Sequence, residues 1–121
     1  MNSFIIHIFC LKSDICALLK KKLRLDGYVV NCTNLSEAGD NFLDEINEKI
    51  DCVIMDRDVK VEIKKRVLSR FPDLPIICLP SLDSDVIEVN GITYISEPLK
   101  LSELSDIISK IRMSRELEPE K

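Results

Sequence analysis

The chain has one histidine and three glycines in 121 residues, and both shortages exclude chemistry. A structural zinc site needs close thiolate pairs or several imidazoles. Here His7 stands alone, and none of the five cysteines falls in a CxxC pair. With so little glycine there is no glycine-rich loop to cradle a phosphate. No apolar stretch approaches the roughly 20 residues of a membrane span. The N-terminal MNSFIIHIFC lacks the basic start and small-residue cleavage site of a secretory leader. Nor is there a basic excess: the net charge of −4 offers no field to nucleic acid or an anionic membrane.

What is present is ordinary for a globular domain, with 45% apolar and 31% charged residues. The length suits one core and is too short for two. We expect one domain over residues 1–113, with 114–121 a polar tail or the start of a linker. The cytoplasm is the expected location. The odd cysteine set, Cys10, Cys16, Cys32, Cys52 and Cys78, lies mostly in apolar runs and reads as small buried hydrophobes. The basic runs Lys20–Lys22 and Lys64–Arg66 read as solvated helix faces.

Apolar runs alternate with helical periodicity along the chain. FIIHIFC (4–10) is a strand covered on both faces. SDICALLKKKLRLDG follows, with Ser13 as N-cap, Asp14 at the positive helix end, Ile15, Leu18, Leu19 and Leu23 on one face, and Gly27 closing the helix. YVVNCT is a second strand. Ser36 then caps an expected helix with Phe42, Leu43, Ile46 and Ile50 inward. DCVIM is a third strand, and Val59, Ile63, Val67 and Phe71 mark the next helix. PIICL and ITYIS are strands four and five. Leu101, Leu104, Ile108 and Ile111 form the stripe of a last helix. Only about a dozen residues, PSLDSDVIEVNG, separate the last two strands, so a shortened or irregular fourth helix is expected there.

Alternating strands and helices give an α/β class, with a parallel sheet covered on both faces. Right-handed crossovers favour a three-layer, doubly wound, five-stranded sheet of order 2-1-3-4-5, flavodoxin-like in topology. Ligand chemistry in such sheets lies at the carboxyl ends of strands one and three, which puts Asp56 at the centre. A flavodoxin-like cofactor binder would need a Ser-, Thr- or Gly-rich loop after the first strand, and CLKSD is a poor one.

Four segments, DGYVV, DCVIMD, RFPDLPIICL and YISEPLKLSELSDII, occur in an order and spacing that resemble the receiver domain of two-component response regulators over residues 3–113. The resemblance implies a phosphoacceptor aspartate at Asp56. It also implies Mg²⁺ held by two acids after the first strand, a hydroxyl after the fourth, and a lysine before a proline after the fifth. This chain departs at each helper. The acid positions read Cys10 and Leu11, followed by Lys12. The hydroxyl position reads Pro80, with Ser81 one step late, and the lysine position reads Glu97 before the retained Pro98. The loop after Asp56 is short and lacks the family's Pro and Gly. The resemblance further implies a cis Glu97–Pro98 bond and an aromatic switch at Tyr94.

The departures act in one direction. Glu97 sets a negative charge where an aspartyl phosphate would lie, and two carboxylates in one cleft call for a counter-cation. Lys12 is the expected candidate. The expected function is therefore a non-catalytic pseudo-receiver, without cofactor, that signals by protein contact or homodimerisation. The expected surface lies around Tyr94, Lys100 and Lys110 on the fifth strand and last helix. The alternative is a working or weakly phosphorylated receiver using Asp56, with Mg²⁺ held weakly by Asp14, Asp56 and Asp58. No membrane or nucleic-acid partner is expected for the domain.

Overall fold

The computed structural model describes residues 4–11, 13–37, 39, 41–44, 46, 49–56, 59–79, 91–95 and 101–117. Five parallel strands form one sheet: β1 (Ile5–Cys10), β2 (Val29–Asn34), β3 (Cys52–Met55), β4 (Ile76–Cys78) and β5 (Thr93–Tyr94). Their spatial order is β2-β1-β3-β4-β5, as the alternation predicts. The register pairs Phe9 with Met55, Met55 with Cys78, and Cys78 with Tyr94, so the strand ends that matter lie side by side. Three helices complete the described fold: α1 (Ser13–Leu25), α2 (Val61–Arg70) and α3 (Leu101–Leu117).

Strand alternation splits the core into two layers. Ile6, Ile8, Ile54, Ile77 and Ile95 pack with Leu19 and Leu23 of α1 and with Leu104 and Ile108 of α3. On the opposite face Phe9, Val53, Met55, Ile76 and Cys78 meet Val67 of α2 together with Phe42, Leu43, Ile46 and Ile50. Asp51 anchors the amino-terminal ends of the strands. Its Oδ2 accepts the Ile5 N–H at 2.9 Å, while its own N–H donates to the Ile5 carbonyl at 2.8 Å.

α1 ends as expected. Gly27 has φ +95°; its N–H donates to the Arg24 carbonyl, and the Tyr28 N–H reaches back to the Leu23 carbonyl. That pair of bonds satisfies carbonyls the helix leaves open.

The structure corrects four expectations. Residues 41–44 are turns, and no described residue between 35 and 51 is helical. The four apolar side chains expected on a helix there are nonetheless buried, so packing holds the segment without helical backbone. On α1 the inward stripe is Cys16, Leu19 and Leu23, spaced i, i+3, i+7, which turns Leu18 out to solvent. On α2 the equivalent stripe is Lys64, Val67 and Phe71, so Lys64 is buried at 2% exposure while Lys65 and Arg66 face water. The cysteines are not all unpaired. Cys10, Cys52 and Cys78 are buried and form no disulfide, but one joins Cys16 to Cys32, whose Cα atoms stand 6.9 Å apart on neighbouring α1 and β2.

The last helix continues to Leu117, beyond Met113. The segment expected to carry a reduced fourth helix lies, except for Gly91, outside the described residues.

Candidate functional site

Asp56 ends the buried run of β3 at 1% exposure. Its N–H donates to the Phe9 carbonyl at 2.9 Å, which extends the β1–β3 ladder by one residue and fixes the backbone beneath the carboxylate. Oδ2 accepts the Leu11 N–H at 3.2 Å. Oδ1 is buried and has no hydrogen-bond partner among the described residues.

Around that carboxylate the sheet presents two thiols. Cys10, at the end of β1, is buried and points its Sγ at the Thr33 carbonyl, 3.7 Å away. Burial, and then the Asp56 charge, push its pKa above the ordinary 9.0, so it stays a neutral thiol. Cys78, at the end of β4, points its Sγ at the Leu79 carbonyl at 3.6 Å. Burial is the largest cause that raises its pKa, and Asp56 adds to the rise. The charge of Lys64 and its hydrogen bond to the thiol act the other way.

Lys64 is the residue that sequence reasoning missed. It enters from the first turns of α2, fully buried, and its ammonium lies 5.5 Å from the centroid of the Tyr94 ring. A lysine at i with Val at i+3 and Phe at i+7 was the available signal; membership in a basic run hid it.

Asp56 and Leu11 are joined by the hydrogen bond at Oδ2; Cys10 lies in the α1–α3 layer, and Cys78 in the α2 layer, where Lys64 lies against Cys78 and Tyr94. Tyr94 is half-buried on the α2 side of the sheet. Lys110 is exposed on α3, which covers the other side, and it lines a depression of about 460 Å³ with Pro72, Leu74, Pro75, Ile111 and Ser114. These two candidate contact residues thus belong to opposite layers. A second depression, about 400 Å³, is bordered by His7, Lys20, Asn31, Thr33 and Phe42 beside β2. His7 is buried there, with Nε2 2.7 Å from Thr33 Oγ1. Lys12, Pro80, Ser81, Glu97, Pro98 and Lys100 lie outside the described residues, as does the Glu97–Pro98 bond.

The donor set does not fit Mg²⁺. That ion takes oxygen ligands in near-octahedral geometry. The positions beside Asp56 instead offer a protonated thiol and a Leu11 side chain, and the Leu11 peptide occupies Oδ2. Asp14 is exposed in the first turn of α1. Among the described residues no group of three or more His, Cys, Asp or Glu could hold a metal ion.

The fold can be compared with solved structures. A two-component response regulator from Clostridium difficile superposes with a TM-score of 0.76 at 18% identity, covering 96% of this chain and 100% of that one. A response regulator receiver domain protein from Clostridium thermocellum gives 0.73 at 24% identity, covering 94% and 98%. A receiver protein from Sinorhizobium medicae WSM419 gives 0.73 at 14% identity, also covering 94% and 98%. This chain has the receiver-domain fold. No family model and no curated protein matches the sequence. In receiver-fold terms, Asp56 stands at the end of the third strand, where the resemblance puts the phosphoacceptor.

Proposed function

We propose that this protein is a pseudo-receiver: a non-catalytic signalling module, in the style of two-component systems, that acts by protein–protein contact. The observation that carries this reading is the Leu11 peptide on Asp56 Oδ2, flanked by the neutral Cys10 thiol where acids would be needed. Phosphoryl transfer to a carboxylate depends on cation charge placed against the moving phosphoryl group. A buried carboxylate with a thiol and a leucine beside it lacks the oxygens to recruit a divalent ion. By the resemblance Glu97 takes the position of a lysine, where its charge would add repulsion.

The receiver fold offers a second use, contact through the fifth strand and last helix. We assign the working surface to the edge at Tyr94, with Lys100 and Lys110 as flanking charges. The test of the module's chemistry is direct: incubate the protein with acetyl phosphate and Mg²⁺ and weigh it intact. The expected spectrum is unchanged. A stoichiometric gain of about 80 Da, the mass of one phosphoryl group, lost in Asp56→Asn, would establish the alternative, a phosphorylated receiver.

A further inference from the structure

We propose that the Cys16–Cys32 bridge is a thiol-exchange site: a small thiol enters the depression beside β2, attacks the Cys32 sulfur and releases Cys16, which unties α1 from β2.

The placement of the five sulfurs sets this pair apart. Cys10, Cys52 and Cys78 are buried in β1, β3 and β4 and form no disulfide. Cys32 lies on β2, at one end of the strand order among the described residues, and is only partly buried. It lines the depression of about 400 Å³ together with Lys20, His7, Asn31 and Thr33. That volume is in the range that takes a small molecule. Cys16 is buried on α1 and does not line the depression. Attack therefore falls on the Cys32 sulfur, and Cys16 is the leaving group.

Lys20 supplies the charge that the exchange needs. It follows Cys16 by four residues, one turn along α1, and it also borders the depression that Cys32 lines. Thiolates are both the attacking and the leaving species, and a nearby ammonium favours each of them.

The incoming thiolate forms a bond to Cys32 Sγ and breaks the Cys16–Cys32 bond. The electron pair stays on Cys16, whose thiolate takes a proton from water. A second small thiolate then attacks the mixed disulfide at the incoming sulfur, giving the small-molecule disulfide and a Cys32 thiol. Two small thiols are oxidised and one bridge is reduced. Leu19 and Leu23 still pack α1 against the sheet once the bridge is open, so the exchange does not call for unfolding.

Glutathione is the probe. The air-oxidised full chain is treated with it at neutral pH, alkylated with iodoacetamide without denaturant, and mapped by mass spectrometry. Before treatment no cysteine should be alkylated; afterwards Cys16 and Cys32 should be, and the three buried thiols should not. With oxidised glutathione, Cys16→Ser should gain a glutathione adduct on Cys32, while Cys32→Ser should gain none on Cys16. Lys20→Gln, a change at a partly exposed position, should slow the opening of the bridge several-fold. Alkylation of Cys16 and Cys32 before any thiol is added overturns the proposal, because no bridge then exists. Alkylation of all five cysteines together overturns it too, because the bridge then opens only through unfolding. An adduct on Cys16 in place of Cys32, or an unchanged rate in Lys20→Gln, does the same. The wild-type and Lys20→Gln arms decide the matter even if a cysteine variant fails to fold.

Discussion

The backbone N–H of Leu11 donates to the Asp56 carboxylate at 3.2 Å, joining the ends of β1 and β3 across 45 positions of sequence. The bond ties the carboxylate that closes the third strand to the backbone that follows the first. Asp56→Ala leaves that N–H without its acceptor and should cost about 1–3 kcal/mol. Asp56→Asn keeps a carbonyl oxygen for the same bond and should cost less. Urea unfolding of the two variants beside wild type measures the difference, and equal losses would mean the bond carries no stability.

The two buried thiols set an alkaline limit. Burial first, then the Asp56 charge, raise the Cys10 pKa above 9.0; burial likewise dominates the rise at Cys78. The folded state therefore holds these protons more tightly than the unfolded chain. The resulting stability is complete below the unfolded pKa and is lost as pH rises from there through the folded values. Stability should fall above about pH 9, and the fall should be smaller in Cys10→Ala and Cys78→Ala. At Cys78 the signs separate further. Lys64→Met should raise the thiol pKa and Asp56→Asn should lower it, as thiol absorbance during alkaline titration would report.

Gly27 and Gly91 share φ +95° but differ in surroundings. A Cβ at Gly27 meets nothing within 4 Å, whereas one at Gly91 comes within 3.2 Å of Leu68 Cδ1. Gly27→Ala should cost about 1–2 kcal/mol from backbone strain alone. Gly91→Ala should cost at least as much, with any excess set by how far the Leu68 side chain can yield. Melting curves of both variants decide the order; a clearly cheaper Gly91→Ala contradicts it.

Sequence periodicity specified the sheet order, Gly27 and Asp56 well, because each depends on a local rule: alternation, a left-handed helix end, or an acid closing an apolar run. It misled where two local signals competed. Lys64 belongs both to a basic run and to an inward i, i+3, i+7 stripe, and tertiary packing favoured the stripe. Phe42, Leu43, Ile46 and Ile50 gave a helix-like pattern because they are all buried, yet burial alone does not dictate backbone conformation. The Cys16–Cys32 disulfide depends on α1 packing beside β2, a proximity that spacing along the chain does not encode. Cys10 and Leu11 at the end of the first strand were readable at once, while the burial of Lys64 on α2 required the fold.

The last prediction concerns where a partner docks. Among the described residues, β5 (Thr93–Tyr94) is the last strand in the sheet order. Edge strands favour pairing with another chain, including a second copy of the same one. Tyr94 is half-buried there on one layer, and α3 carries exposed Lys110 on the other, beside Pro72–Pro75. Self-association by sedimentation, or capture of a candidate partner, should weaken in Tyr94→Ala and when Lys100 and Lys110 are reversed to Glu. Because Tyr94→Ala also removes the ring beneath Lys64, the Lys110 reversal is the cleaner arm: it alters a charge on the exposed face of α3. Asp56→Asn should leave binding intact. If Asp56→Asn abolishes association while the lysine reversals leave it intact, the cleft is the working site and the edge is not.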